Sequence, residues 1–415
     1  MTIPQIISLI IIIIIIILSL KKGSDLFSPA RVFMLVWSFS IFLAEFKFSG
    51  YQHQWSSFSW LVILIGPLSF LLGLYIAYVT FLNTPLLTTG VIREKSKTLD
   101  ESSLKKLYST TIILFILYLI SFIIEVLVEG YVPIFSRRYD IARIEFGLFG
   151  FHLLVNFQLI IMFLNVEYII LTKGHIKEKF LMSCIFFITL LSFALLLQRF
   201  NFFFTGIMIL VLLYYASKVV KVRNVIVIAL IFFGLLYAIQ SVRLSQYVSQ
   251  YIYVTSKMKF SKDYAIFTEP YMYITMNLEN MAHAVDKLDN FTLGTYSFDW
   301  IYALSGLKHW IANYFHLNAR EFLISGYTTY PFHWYYYLDF GLIGVFFFPM
   351  LISFFVGIIY YKMKSSAQLK WIILYSICVA IMVISFFTNP LMMLTFVTNF
   401  FILWVIHNHF ILKQP

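Results

Sequence analysis

The stretch Ile3 to Lys22, IPQIISLIIIIIIIILSLKK, holds eight consecutive isoleucines from Ile10 to Ile17 and stops at a pair of lysines. No soluble core needs so long a run without a charge. The hydrocarbon layer of a bilayer, about 30 Å thick, needs about 20 residues of helix. A cleaved leader has a basic start and a small-residue cleavage site, and this run has neither, so it reads as a retained span with its N-terminus outside.

Outward from that run, further apolar segments recur at about 30–48, 59–81, 108–128, 149–172, 180–197, 202–217, 224–240, 338–361, 371–388 and 391–411. Their number predicts an all-α fold, a polytopic transmembrane helix bundle of about eleven spans within a range of about ten to twelve. Composition agrees: 61% of the 415 residues are apolar, 12% are charged and the mean hydropathy is +0.87. A soluble domain carries about twice that charge fraction. Cys184 and Cys378 lie inside apolar runs and are read as inert thiols.

The net charge of +11 invites a nucleic-acid reading until it is placed along the chain. Lys21–Lys22, Arg93–Lys106, Lys173–Lys179, Lys218–Arg223 and Lys362–Lys370 fall in alternate connections, on the same side as Lys413. That side, with its borders, holds 18 of the 30 basic residues but only five of the 19 acidic ones, so it carries the whole positive excess. This is the positive-inside pattern and marks the cytoplasm. No nucleic-acid partner is needed to explain it.

The opposite side then owns two sizeable loops, at about 129–148 and 241–337, the second far longer than a connection requires. Within it, Ile274, Leu278, Met281, Val285 and Leu288 are spaced for an amphipathic helix over Tyr271–Leu288. No repeat or low-complexity linker divides the chain, which is read as a single membrane domain over 1–415.

The phosphate-loop, HExxH, CxxC and GxSxG signatures are all missing, which argues against ATP-driven transport within this chain. No metal site and no cofactor is expected, since the nine histidines are scattered and His407 and His409 share no helix face.

Arginine on the outer side is the feature that stands out. Arg199 lies in LLLQRFNFFF (195–204), Arg243 in IQSVRLSQY (239–247), and Arg137, Arg138 and Arg143 in SRRYDIAR (136–143). All five contradict the positive-inside pattern. Guanidinium keeps its charge and forks onto phosphate oxygens, so such a cluster suits a lipid diphosphate at the outer headgroup level. Each has an ordinary alternative: Arg199 and Arg243 snorkelling to the interface, the other three paired with Asp140 and Glu145.

A second constellation is YTTYPFHWYYYLDF (327–340), where rings including Tyr330 and Tyr336 surround His333 and Asp339. An aromatic belt at the membrane boundary accounts for most of it. Aromatic faces also stack on sugar rings, and His333 or Asp339 is placed to take a proton from a sugar hydroxyl. Asp339 alternatively caps the helix that opens at Gly341.

Three stretches together resemble the Wzy-type O-antigen polymerases, or oligosaccharide repeat unit polymerases. GYVPIFSRR (130–138) is similar to that family's Gly-x-x-Pro-aliphatic-Phe element. LLLQRFNFFFTGIMILVLLYY (195–215) resembles its span-Arg-span element. NAREFLISGYTTYPFHWYYYLDFGLIGVFFF (318–348) resembles its Asn-x-x-Thr to Asp-Phe-Gly-x-x-Gly ending, although Glu321 replaces the usual hydroxyl residue near Asn318.

The resemblance implies a GT-C-like glycosyltransferase in the bacterial inner membrane, active on the periplasmic face. Its donor and acceptor are undecaprenyl-diphosphate-linked oligosaccharides, with membrane lipid around it and a chain-length regulator as partner. Arg199 and Arg243 are then expected at the diphosphate, Arg137, Arg138 and Arg143 sharing it or positioning the acceptor. His333 and Asp339 are base candidates, and Asn318, Tyr330 and Tyr336 belong to substrate binding. The rivals are a repeat-unit flippase, which would show internal repeats and mid-span charges, an O-antigen ligase, and a sugar acyltransferase.

Overall fold

A computed structural model describes residues 1–21, 23–96, 99–136, 142, 145–148, 150–217, 246–307, 310 and 322–411. Among these the chain is helical, and the single β-bridge joins Ser49 to Met258. Among the described residues, six helices are long and apolar enough to cross a membrane: Ile3–Leu20, Ser57–Thr80, Glu101–Phe135, Phe151–Leu171, Ile176–Leu195 and Trp334–Ser366. Shorter apolar helices occupy Pro29–Ala44, Phe200–Ala216, Leu369–Ile384 and Leu394–Asn408. The segment 224–240, expected as a span, lies outside the described residues. The chain is a multi-pass helical membrane protein that divides into two compact units.

The first unit comprises Met1–Pro85, Lys221–Tyr361 and Ile381–Met393. Helix α1 (Ile3–Leu20) opens with a reciprocal cap: the Thr2 hydroxyl accepts from the Gln5 amide while the Gln5 side chain accepts from the Thr2 amide. It packs on α2 (Pro29–Ala44), and Ile7, Ile10, Ile14 and Ile17 stay exposed along its other face. Such an apolar stripe is untenable in water and natural in lipid. Helix α3 (Ser57–Thr80) is capped by Ser56, whose hydroxyl accepts from the Ser59 amide.

Helix α11 (Thr268–Lys287) packs on α2 and α3. Its middle, from Thr275 to Ala282, is wholly buried, polar residues included. The spacing predicted an amphipathic helix lying on the membrane or on the bundle; it packs on bundle helices, and protein groups surround its polar middle. The Glu279 carboxylate accepts from the His53 amide at 2.7 Å and the Trp55 indole at 2.8 Å. Lys47 sits 3.5 Å from Glu279 and 3.6 Å from Glu45, over the Trp55 ring. Burial lowers the Lys47 pKa, and the two carboxylates oppose that shift. Thr2 donates to Glu45 at 2.8 Å, which ties the start of α1 into the same network.

The second unit comprises Leu86–Val220, Lys362–Ala380 and Leu394–Pro415. At its centre is α7 (Gln158–Leu171), almost entirely buried against α5 (Glu101–Glu129), α8 (Ile176–Leu195) and α9 (Arg199–Ala216). Two acids inside apolar runs find partners. Glu167 accepts from His407 Nε2 at 2.9–3.0 Å, and Glu125 meets His152 Nδ1 at 3.2 Å and accepts from the Leu148 amide at 3.1 Å. A buried carboxylate is tolerable only with such partners.

Candidate functional site

In the second unit the Leu196–Asn201 turn presents Arg199 as the first residue of α9. Leu197 takes a positive φ of 57°, an uncommon conformation for a branched side chain that the surroundings must enforce. The enforcement comes from amides. Asn156 Oδ1 accepts from Gln198 Nε2 at 3.4 Å and from Asn201 Nδ2 at 3.3 Å, and Asn201 also donates to Gln198 at 2.9 Å. Asn399 donates to the Asn156 carbonyl at 3.1 Å, fastening the turn to the helix Leu394–Val405. Asn156 in turn donates to the His152 carbonyl, one residue contact from Glu125. Arg199 therefore leaves a turn held at both ends, at the N-terminal end of a helix, whose dipole favours anions. Its side chain, and Arg137, Arg138, Arg143, Arg243 and Asn318, lie outside the described residues.

The aromatic segment of the first unit is placed in full. The Asp339 carboxylate is buried and accepts from the Thr292 hydroxyl, the Tyr296 amide at 3.2 Å and the Ser297 amide at 2.6 Å. Its carbonyl and that of Leu338 also accept from the Leu293 and Thr292 amides. Asp339 thus clamps the turn 292–297 instead of capping a helix at Gly341. Gly341 is a kink within Trp334–Ser366, at φ 59° and ψ −142°, where a Cβ would stand 2.6 Å from the Phe291 ring.

His333 is fully buried, its ring stacked on Trp37 at 5.3 Å and edge-on to Phe332 at 5.6 Å. Neither ring nitrogen has a hydrogen-bond partner. Gly66 provides the space, since a Cβ there would stand 2.8 Å from Nδ1. Burial pushes the His333 pKa down to about 3, so the ring is neutral. Tyr336 is also buried, stacked on Phe348 at 4.6 Å, its hydroxyl accepting from Asn389 at 3.2 Å. Tyr330 is half-buried, stacked on Trp334, with its hydroxyl 2.8 Å from that of Tyr335. His333, Asp339, Tyr330 and Tyr336 share one segment, but their polar groups, His333 apart, are engaged by other residues of the first unit.

Sequence reasoning missed two features. One is the Glu125–His152 pair; the signal was an acid inside the apolar run 108–128, expensive there without a task. The other is a cavity of about 340 Å³ in the first unit, walled by Tyr51, the end of α10 (Gln246–Thr255), the start of α11 and the loop 325–329. Among the described residues no three His, Cys, Asp or Glu side chains converge to hold a metal ion.

Among the described residues, helices without a sheet, exposed apolar stripes and buried acids paired inside the bundle define a polytopic membrane protein, one with an arginine as the first residue of a braced helix. A family model described as "Putative O-antigen polymerase" matches residues 2–398, and the chain belongs to that family. No curated protein and no solved structure matches it. Membership gives the chain a role in O-antigen polymerisation, a glycosyltransferase-like activity in surface polysaccharide biosynthesis.

Proposed function

We propose that the protein joins undecaprenyl-diphosphate-linked repeat units into O-antigen at the periplasmic face of the inner membrane, through a GT-C-like bundle of about eleven spans. The match across residues 2–398 carries this reading. The braced turn that starts α9 at Arg199 supports its chemistry.

The acceptor hydroxyl oxygen forms a bond to the donor's anomeric carbon. The bond from that carbon to the diphosphate oxygen breaks, and its electron pair leaves with undecaprenyl diphosphate. The hydroxyl proton passes to a base or to water. Charge grows on the departing diphosphate, so fixed cations aimed there lower the barrier. Arg199 and Arg243 serve that purpose in this reading, with Arg137, Arg138 and Arg143 sharing the diphosphate or positioning the acceptor. A chain-length regulator is the expected protein partner.

The test is the electrophoretic profile of lipopolysaccharide from cells lacking the gene, complemented with wild type or Arg199→Ala. Core plus a single repeat in the deletion, extended to a ladder by wild type but not by Arg199→Ala, is the expected result. The loss of an oxyanion-type donor costs about 100- to 1,000-fold in rate. Uncapped core with repeat units stranded on the lipid carrier points to a flippase or ligase, and a full ladder from Arg199→Ala removes that residue from the chemistry.

A further inference from the structure

We propose that the cavity of the first unit is a saccharide subsite, which seats a sugar ring of a lipid-linked oligosaccharide away from its diphosphate. The inference rests on the polymerase reading and adds to it the residues that recognise the glycan. It stands on four observations about the same walls.

The walls offer the groups a sugar uses. Tyr51, Tyr273 and Tyr327 bring aromatic faces, against which the C–H face of a pyranose packs, and Tyr273 is exposed. Thr255, Ser256 and Thr328 add hydroxyls that both donate and accept, matching the alternating needs of sugar hydroxyls. Glu269 adds a carboxylate, a charge-assisted acceptor for a hydroxyl or an acetamido N–H.

The charge has the right sign for the glycan and the wrong one for its anchor. Glu269 is the one acidic or basic residue among the described lining side chains, which suits the glycan better than its diphosphate. Lys257 stands just outside, against the Tyr51 ring at 5.0 Å.

The walls are also held in place before any ligand arrives. Asn280, fully buried on α11, donates to the Tyr327 carbonyl at 3.0 Å and the Thr329 carbonyl at 2.7 Å, and accepts from the Ile324 amide at 2.9 Å. That one amide fixes the loop through its own backbone. The Ser256 and Tyr327 hydroxyls lie 2.8 Å apart, and Ser49 donates to the Ser256 carbonyl at 2.7 Å. The Tyr51 and Tyr327 rings meet edge to face at 5.9 Å. Fixed walls spare a ligand the ordering cost that weakens binding. Finally, a volume of about 340 Å³ lies at the small end of ligand pockets, about 300–1,000 Å³, which suits a short piece of oligosaccharide.

The probe is the repeat-unit oligosaccharide released by mild acid from the host's own lipid-linked pool, added to the detergent-purified full chain. Saturation-transfer NMR reads its affinity. Glu269→Gln and Tyr273→Ala each weaken binding about tenfold, as loss of one charged hydrogen bond or one stacking face does. Tyr327→Phe, which keeps the ring and the fold, weakens it less. In cells the same variants shorten the lipopolysaccharide ladder at unchanged membrane levels. Wild-type affinity in both Glu269→Gln and Tyr273→Ala overturns the subsite, as does absence of binding to wild type in a strain whose deletion still loses the ladder. A deletion that keeps its ladder overturns the polymerase reading instead, whatever the NMR shows.

Discussion

Two carboxylates of the first unit, Asp339 and Glu269, stand in opposite surroundings. Asp339 is fully buried and receives one hydroxyl and two backbone amides from the turn 292–297. Glu269 is half-buried on the wall of a cavity, with tyrosines and hydroxyls around it. An acid enclosed by donors of one turn is a fastener, and one on the wall of a cavity has a surface for a ligand. The sequence makes the first look functional, because Asp339 sits among rings near a histidine. The second comes from a stretch, FTEPYMY (267–273), with nothing conspicuous in it.

The largest effect that sharpens this contrast is expected at Asp339. Asp339→Ala leaves three donors facing a buried hole and costs about 3–5 kcal/mol, the usual penalty for breaking a buried charged contact. Thermal unfolding of the purified protein, followed by tryptophan fluorescence, reads that loss directly, and Asp339→Asn, which still accepts, recovers about half. An Asp339→Ala protein that melts like wild type but makes no polymer breaks the comparison and returns Asp339 to the chemistry.

Next comes Asn280, the fastener of the cavity itself. Asn280→Ala strips three hydrogen bonds from a buried site, at a cost of about 2–3 kcal/mol. Asn280→Asp keeps the acceptor for Ile324 but turns a carboxylate toward two carbonyls, so it melts lower still. Both variants weaken binding of the released oligosaccharide even though Asn280 is no wall residue. Oligosaccharide affinity that survives Asn280→Ala shows that the loop 324–329 is not what shapes the site.

The split between what could be read in the sequence and what could not follows from distance along the chain. Apolar runs are local, so Ile3–Leu20, Ser57–Thr80 and Ile176–Leu195 are visible as spans without any knowledge of packing. The family elements are local too, and the match over 2–398 agrees with them. The cavity joins Tyr51 to Glu269 and Tyr327 across more than 200 positions of chain, and no spacing rule connects them. Periodicity also cannot distinguish water from a protein amide. Asn277, Glu279 and Asn280 are polar positions of the predicted amphipathic helix, and only the fold reveals that His53, Trp55 and the loop at 327–329 pair with Glu279 and Asn280. Glu125 and Glu167 were legible in principle, as acids inside apolar runs, and each proves to hold a histidine.

The smallest expected effect is at His333, and it tests the segment that the sequence favours. A neutral imidazole with two unpaired nitrogens, stacked on Trp37 and roofed by Gly66, gains nothing from its polarity in that pocket. Burying polar atoms without partners is a cost, and a phenyl ring removes it at the price of a slightly larger outline. His333→Phe is therefore expected to shift stability by no more than about 1.5 kcal/mol in either direction and to leave the lipopolysaccharide ladder at full length. A base lost from the reaction would instead collapse the ladder with the melting curve unchanged. That outcome would mean that the pocket around His333 opens during turnover.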